Sequence, residues 1–130
     1  MILLDTHVVI WLLTEPERIS VAAARAIAEA GARGEMPGVS AASLFELAYA
    51  QQRGRLQINV PRAEFLSRLS DWFEIRPVTG AIALEATGLD DTFNGDPMDR
   101  MIVATALTED RTLLTADRKI LGAAACAVLW

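Results

Sequence analysis

The chain has one cysteine, one histidine and one lysine in 130 residues, and each scarcity removes a class of chemistry. A lone Cys126 cannot close a disulfide within the chain, and with His7 as its only soft companion it cannot complete a zinc site. No nucleophilic Ser-His or Cys-His pair can be read around His7, and no glycine-rich phosphate loop is present. There is no internal repeat and no low-complexity tract. Five prolines, 52% hydrophobic residues and 22% charged ones describe a folded globular chain, expected to form a single domain over residues 1–130. The opening run MILLDTHVVIWLL lacks a basic leader and carries Asp5 inside its apolar stretch. It reads as neither signal peptide nor membrane span, so the expected location is cytoplasmic, with no membrane association.

Positive charge is also scarce. The formal net charge of −5 argues at first against nucleic acid, because phosphate contacts usually need a basic footprint. Asp5, Glu46, Asp96, Asp99 and Asp117 alone account for that excess, and the rest of the chain balances twelve acidic residues against twelve basic ones. If those five gather around divalent cations, a phosphodiester can approach through the metal.

What is present is organised around Gly95 to Asp117, GDPMDRMIVATALTEDRTLLTAD. Pro97 suits the first turn of a helix and Asp96 its N-cap. From Asp99, steps of three, four, seven and eight reach Ile102, Val103, Ala106 and Leu107, so its carboxylate shares the core-facing stripe. Capping and the helix dipole explain Asp96 without further function; for Asp99 the apolar stripe favours a site, and Asp117 taken alone reads as a turn residue. Glu109-Asp110 makes a polar turn, Thr112 to Thr115 a short buried strand, and Asp117 follows it.

Elsewhere, Met1 to Leu4 reads as a strand buried on both faces, and Thr6 as the cap of a helix over Val8 to Leu13. Ser20 caps a second, alanine-rich helix that stops around Gly31 and Gly34. Met36 to Val39 is a weak strand leading to Ser40 and the helix AASLFELAYAQQR, with Gly54 as its stop. Asn59 and Pro61 open a helix from Arg62 to Trp72. Glu74 to Val78 reads as a strand in which Pro77 marks an end or an edge. Thr79 caps a short helix through Ala86, LDDTFNG is a turn-rich connection, and Ala125 to Trp130 is a last strand. Strands alternating with helices imply right-handed crossovers and an α/β/α sandwich on a mostly parallel sheet of four to five strands.

On such a sheet Asp5, Glu46, Asp99 and Asp117 share one rim. Carboxylates without histidine or cysteine make a hard oxygen site suited to magnesium, or manganese in its place. Metal-activated water is then the obvious attacking group. Glu46 has a plain structural alternative, since Ser43-Leu-Phe-Glu46 matches a capping box. His7 reads as a polar helix-start residue rather than a catalytic one. Trp11, Trp72 and Phe93 have the means to stack on bases, but their apolar neighbours favour packing.

The segments LLDTH, VSAASLFELA, FNGDPMDRMIVATAL and TLLTAD, in this order over nearly the whole chain, resemble the PIN-domain family, specifically the VapC-type toxin ribonucleases. The resemblance implies a PIN-like fold, a magnesium-dependent endoribonuclease acting on RNA, a homodimer, and a VapB-type antitoxin that holds it inactive. It implies Asp5, Glu46 and Asp99 as metal-binding acids, with Asp117 a less consistently direct fourth. Asp96 would lie near the site as the helix cap, and Thr6 and Thr115 would position a carboxylate or water. A magnesium-dependent phosphoryl-transfer or phospho-receiver domain would also place acids at strand ends, but expects a second acid beside Asp5 and a lysine after a late strand. A catalytically silent module of the same fold would be expected to lack an acid, and all four are present.

Overall fold

The computed structural model describes residues 1–90, 93, 96–123 and 125–130. Five short strands, β1 (Ile2–Leu4), β2 (Gly38–Ser40), β3 (Glu74–Arg76), β4 (Thr112–Leu114) and β5 (Val128–Leu129), form one sheet in the order β3-β2-β1-β4-β5, with every neighbouring pair parallel. The helices are α1 (Thr6–Thr14), α2 (Val21–Ala32), α3 (Ala41–Gln52), α4 (Arg62–Trp72), α5 (Gly80–Gly88), α6 (Pro97–Thr108) and α7 (Arg118–Ala123), with a 3-10 turn at Pro16–Arg18.

Consecutive strand residues point to opposite faces, so a strand covered on both sides must be apolar throughout. Leu3 and Leu113 pair across β1 and β4 and enter the core layer with Ile102, Val103 and Ala106 of α6. Leu4 and Leu114, the next pair, enter the opposite layer with Val8 and Val9 of α1, Leu47 of α3 and Phe65 and Leu69 of α4. All four leucines are fully buried, and truncating one to alanine is expected to cost roughly 2–5 kcal/mol.

The chain winds outward from β1 through β2 to β3, then returns to add β4 on the other side of β1. The crevice between the C-terminal ends of β1 and β4 is therefore the topological switch point, where open α/β sheets place their sites. Across the sheet's other rim, Arg111 is 4% exposed just ahead of β4. Its Nη2 donates to Glu74 Oε2 at 2.7 Å and its Nε to Glu109 Oε2 at 2.8 Å, while Arg76 pairs with the same two glutamates. The arginine beside it lowers the Glu74 pKa.

Several local expectations shift. The first helix begins at Thr6 with Asp5 as its N-cap, because Asp5 is extended and its carboxylate accepts the Thr6 N–H; Thr6 is therefore not the cap. The second strand runs Gly38–Ser40 rather than Met36 to Val39, because Pro37 has no N–H to give a ladder and only from Gly38 onward does the chain align with Leu3. The third strand stops at Arg76, before Pro77, and is the sheet's edge as its proline suggests. The last strand is shorter than Ala125 to Trp130. In the connection LDDTFNG, Asp91, Thr92, Asn94 and Gly95 lie outside the described residues.

Candidate functional site

Asp5 is held at the end of β1 by every element around it. Its backbone N–H donates to Leu114 O at 3.1 Å, which ties it to β4. Its Oδ1 accepts the Thr6 N–H at 2.7 Å and its Oδ2 the Thr115 hydroxyl at 2.7 Å. Burial to 3% exposure raises its pKa, against the lowering influence of His7, Thr115 and the Thr6 N–H, with Asp117 raising it further. The Thr115 oxygen in turn accepts the Asp117 N–H at 3.0 Å, and Asp117 Oδ1 accepts the Lys119 N–H at 2.8 Å at the start of α7.

Glu46 projects from α3 towards α1. Thr6 Oγ1 lies 2.6 Å from Glu46 Oε1 and 2.9 Å from Ser43 Oγ. A hydroxyl has one proton, and the charged, nearer acceptor takes it, which leaves Ser43 free to donate back to Thr6. The capping-box reading of Ser43 and Glu46 fails on geometry. Ser40 is the N-cap, its Oγ accepting the Ala42 N–H at 3.3 Å, so Ser43 and Glu46 both lie inside the helix, and the partner of both side chains is the Thr6 hydroxyl of α1 rather than a backbone N–H of their own helix. Half-burial raises the Glu46 pKa, the Thr6 hydroxyl opposes this, and Asp96 and Asp5 add to it.

Asp96 caps α6, its Oδ1 accepting the Asp99 N–H at 2.9 Å, with Pro97 in the first turn as the sequence indicates. Asp99 is half-buried on the side of α6 that carries Ile102 and Val103 inward. Burial, then Asp96, Asp5, Glu46 and Asp117, push its pKa up to about 7. Glu46, Asp96 and Asp99 each bring a carboxylate oxygen within 4.8 Å of the other two. Asp96 thus joins the tightest acidic group as well as capping its helix, while Asp5 and Asp117 stand further along the same wall. All five acids line one cleft of about 460 Å³ at the switch point. A set of oxygen donors this close, with its ionised forms disfavoured, fits a hard divalent cation.

His7 contributes more than its sequence position suggests. Its Nε2 accepts the Ala116 N–H at 2.9 Å, and its Nδ1 faces Asp5 Oδ2 at 3.5 Å. With Nε2 accepting, Nδ1 carries the proton and points at the carboxylate. The ring also packs edge-on against Trp11 at 4.8 Å. Trp11 is further braced by Trp130 and by Arg18 over its face. Phe93 is buried in the α6 core layer, and Trp72 is half exposed on α4, so neither reaches the cleft. Among the described residues, Phe45 and Tyr49 line the cleft together with the His7 ring, and their i, i+4 spacing on the face that carries Glu46 was the available signal. The cation lining the cleft is Arg55, and Lys119 is exposed elsewhere, so the lysine that a phospho-receiver reading expects is not among the described lining residues.

The PIN domain family model matches residues 2–125. Among curated proteins, Ribonuclease VapC22 of Mycobacterium tuberculosis (strain ATCC 25618 / H37Rv) is 38% identical over 119 residues, covering 92% of this chain and 88% of that one. Among solved structures, VapBC2 from Rickettsia felis bound to a DNA fragment from their promoter matches with a TM-score of 0.72 at 17% identity, covering 99% of this chain and 98% of the other. FitAcB from Neisseria gonorrhoeae matches with a TM-score of 0.65 at 26% identity, covering 100% and 97%. These structural likenesses bear on the fold.

Proposed function

The chain belongs to the PIN-domain family, and from that premise we propose that it is a VapC-type endoribonuclease, the toxin of a toxin–antitoxin pair, which cuts RNA phosphodiester bonds with magnesium or manganese. The observation that carries this reading is the convergence of Asp5, Glu46, Asp96, Asp99 and Asp117 in one cleft at the switch point. Asp5, Glu46, Asp99 and Asp117 are the proposed metal ligands, and Thr6 and Thr115 position Glu46 and Asp5 for that task. When bound, the cation supplies an activated water and neutralises charge on the phosphodiester.

The protein's own groups do the rest. Asp5 is fixed by the Thr6 N–H and the Thr115 hydroxyl, so it costs little to organise when a ligand arrives. Asp99, with a pKa of about 7, keeps a proton on its carboxyl in part of the metal-free population and gives it up when a cation enters. His7 holds the Ala116 N–H and thereby the loop that leads to Asp117.

The whole chain works as one domain under this reading, in the cytoplasm and as a homodimer. No helix among the described residues is long and apolar enough to cross a membrane. Its partner is a VapB-type antitoxin, and the acidic cleft invites an arginine or lysine of that partner to take the cation's place.

The test is cleavage of RNA by the purified protein with magnesium or manganese, with and without excess chelator, beside Asp99→Asn. Activity is expected to need the metal and to collapse in the variant while its melting temperature holds. Full cleavage in chelator would overturn the metal mechanism. An unchanged rate in folded Asp99→Asn would remove Asp99 from the site.

A further inference from the structure

Phe45 and Tyr49 of α3 and Arg53, its C-cap, follow one another in steps of four, so they stand one above the next along a single side of that helix. The Phe45 and Tyr49 rings are stacked, with centroids 5.8 Å apart and planes 9° from parallel. The Arg53 guanidinium lies 5.1 Å from the Tyr49 ring centre, and its Nη2 donates to the Tyr49 hydroxyl at 2.8 Å. The result is a column of cation, ring and ring. Its free end is Phe45, which is 60% exposed. Glu46, between the two rings in sequence, points into the acidic cleft, and Phe45 and Tyr49 line that same cleft.

An exposed ring pair costs solvation and is usually avoided on a soluble surface unless something covers it. Two observations identify the cover. Arg55 lines the cleft beside the column and has no carboxylate partner among the described residues, whereas Arg18, Arg25, Arg33, Arg68, Arg76 and Arg111 are all paired with glutamates. Arg53 also has no acid and is spent on the ring below it. An exposed apolar ring and one arginine without a carboxylate partner among the described residues, Arg55, in the cleft of a phosphodiester-cutting site match the two sides of a single-stranded nucleotide: a base to stack and a phosphate to pair.

We propose that Phe45, backed by Tyr49 and Arg53, is a stacking platform for one RNA base beside the scissile phosphate, with Arg55 holding an adjoining phosphate. This rests on the ribonuclease reading and deepens it by naming what sets the register of the strand. A ring recognises any base through its face, so the platform fixes position and leaves sequence preference to stacking strength. The unstacked base requirement directs the enzyme to single-stranded segments and loops rather than to duplex, whose bases are occupied with one another.

The probe is a short mixed-sequence single-stranded RNA, dye-labelled, together with versions that carry one abasic position walked along the strand. Phe45→Ala is expected to raise KM for cleavage by about five- to a hundredfold, the range of one lost base–ring stack, with kcat changed far less. Phe45→Trp is expected to restore it. One abasic position should weaken the wild type by a similar factor and leave Phe45→Ala unaffected, because the partner of that base has already gone. Arg55→Ala should make binding less dependent on salt. Phe45 is exposed, so these variants should fold as the wild type does. Unchanged KM in Phe45→Ala, or abasic penalties identical in both proteins, would overturn the platform. So would normal RNA kinetics in Phe45→Ala accompanied by loss of dimerisation or of antitoxin capture, which would make the column a protein interface. If the wild type fails to cut the RNA, the ribonuclease reading falls by itself. Anisotropy with calcium in place of magnesium then still reads the platform: wild type binding the RNA and Phe45→Ala failing to would support it, and equal binding would overturn it.

Discussion

The Thr115 hydroxyl donates to Asp5 Oδ2 at 2.7 Å and joins the ends of two neighbouring strands through side chains as well as through the ladder. The same oxygen accepts the Asp117 N–H at 3.0 Å, so one buried hydroxyl sets both an acid of the first strand's end and the loop that carries an acid of the fourth. Thr115→Val keeps the shape and removes both bonds. Metal affinity or cleavage should fall by about 10–100-fold, as for other groups that orient a metal-binding carboxylate, and Thr115→Ser should recover most of it. Titration of magnesium against cleavage rate checks this. A Thr115→Val protein with the wild-type magnesium requirement would show that Asp5 needs no such support.

The raised acid pKa values fix the sign of a pH effect. Asp99 titrates at about 7 in the metal-free fold, against the ordinary aspartate value of 3.8 in the unfolded chain. Between those values the folded protein keeps a proton that the unfolded chain has released, so the stability that Asp99 contributes is present at low pH and is lost as pH rises through about 7. Asp5 and Glu46, also raised, act in the same direction. A cation binds the ionised carboxylates and offsets the loss. Magnesium should therefore raise the melting temperature more at roughly pH 8 than at roughly pH 5.5, with protons released on binding. Asp99→Asn should flatten that difference. Equal magnesium shifts at both pH values in the wild type would contradict the account.

The sequence made the layers legible because their cause is local. Leu3-Leu4 and Leu113-Leu114 are apolar on both faces, and only a buried parallel strand tolerates that. Asp96, Pro97 and Asp99 announced the start of a helix, and the structure has it there. Glu46 was harder. Its capping-box appearance disappears only once Ser40 is seen to cap the helix and to end the strand, where it pairs with Arg76 of β3. The Arg111 cluster was invisible for a related reason. Its partners Glu74 and Glu109 come from an edge strand and a helix end that only the sheet order brings together.

That cluster gives a stability prediction remote from the chemistry. Arg111 is 4% exposed, and Glu109 depends on it and on Arg76 for its charge balance. Arg111→Ala removes a buried stem and its charged hydrogen bonds but leaves the partly exposed Glu74 and Glu109 with Arg76 and solvent, and should cost roughly 2 kcal/mol. Gly38→Ala should also destabilise, since a Cβ there would stand 2.6 Å from Arg111 Nη1 and 3.2 Å from Ile2 O. The two substitutions share an atom, so their effects should add to less than their sum. Denaturant melts of the two single variants and the double one measure this. Cleavage per folded molecule should stay at the wild-type level, and a large loss would mean that the far rim reaches the site.

Glu46→Gln separates charge from shape at the acid with the closest structural alternative. A glutamine Oε1 still accepts the Thr6 hydroxyl that now lies 2.6 Å away, so the link between α1 and α3 survives. The substitution also removes a charge that burial, Asp96 and Asp5 all disfavour, so the melting temperature should hold or rise slightly in the absence of metal. Cleavage should nevertheless drop by orders of magnitude, because a neutral amide is a poor ligand for magnesium. Ser43→Ala is the control on the same wall. Ser43 is fully buried against Thr6, and losing that contact should cost about 1 kcal/mol while Thr6 keeps its bond to Glu46 and the chemistry continues. The opposite pattern, wild-type cleavage at limiting magnesium by folded Glu46→Gln and collapse in Ser43→Ala, would make Glu46 a brace for the helix and transfer the ligand role to Asp96, whose carboxylate already stands within 4.8 Å.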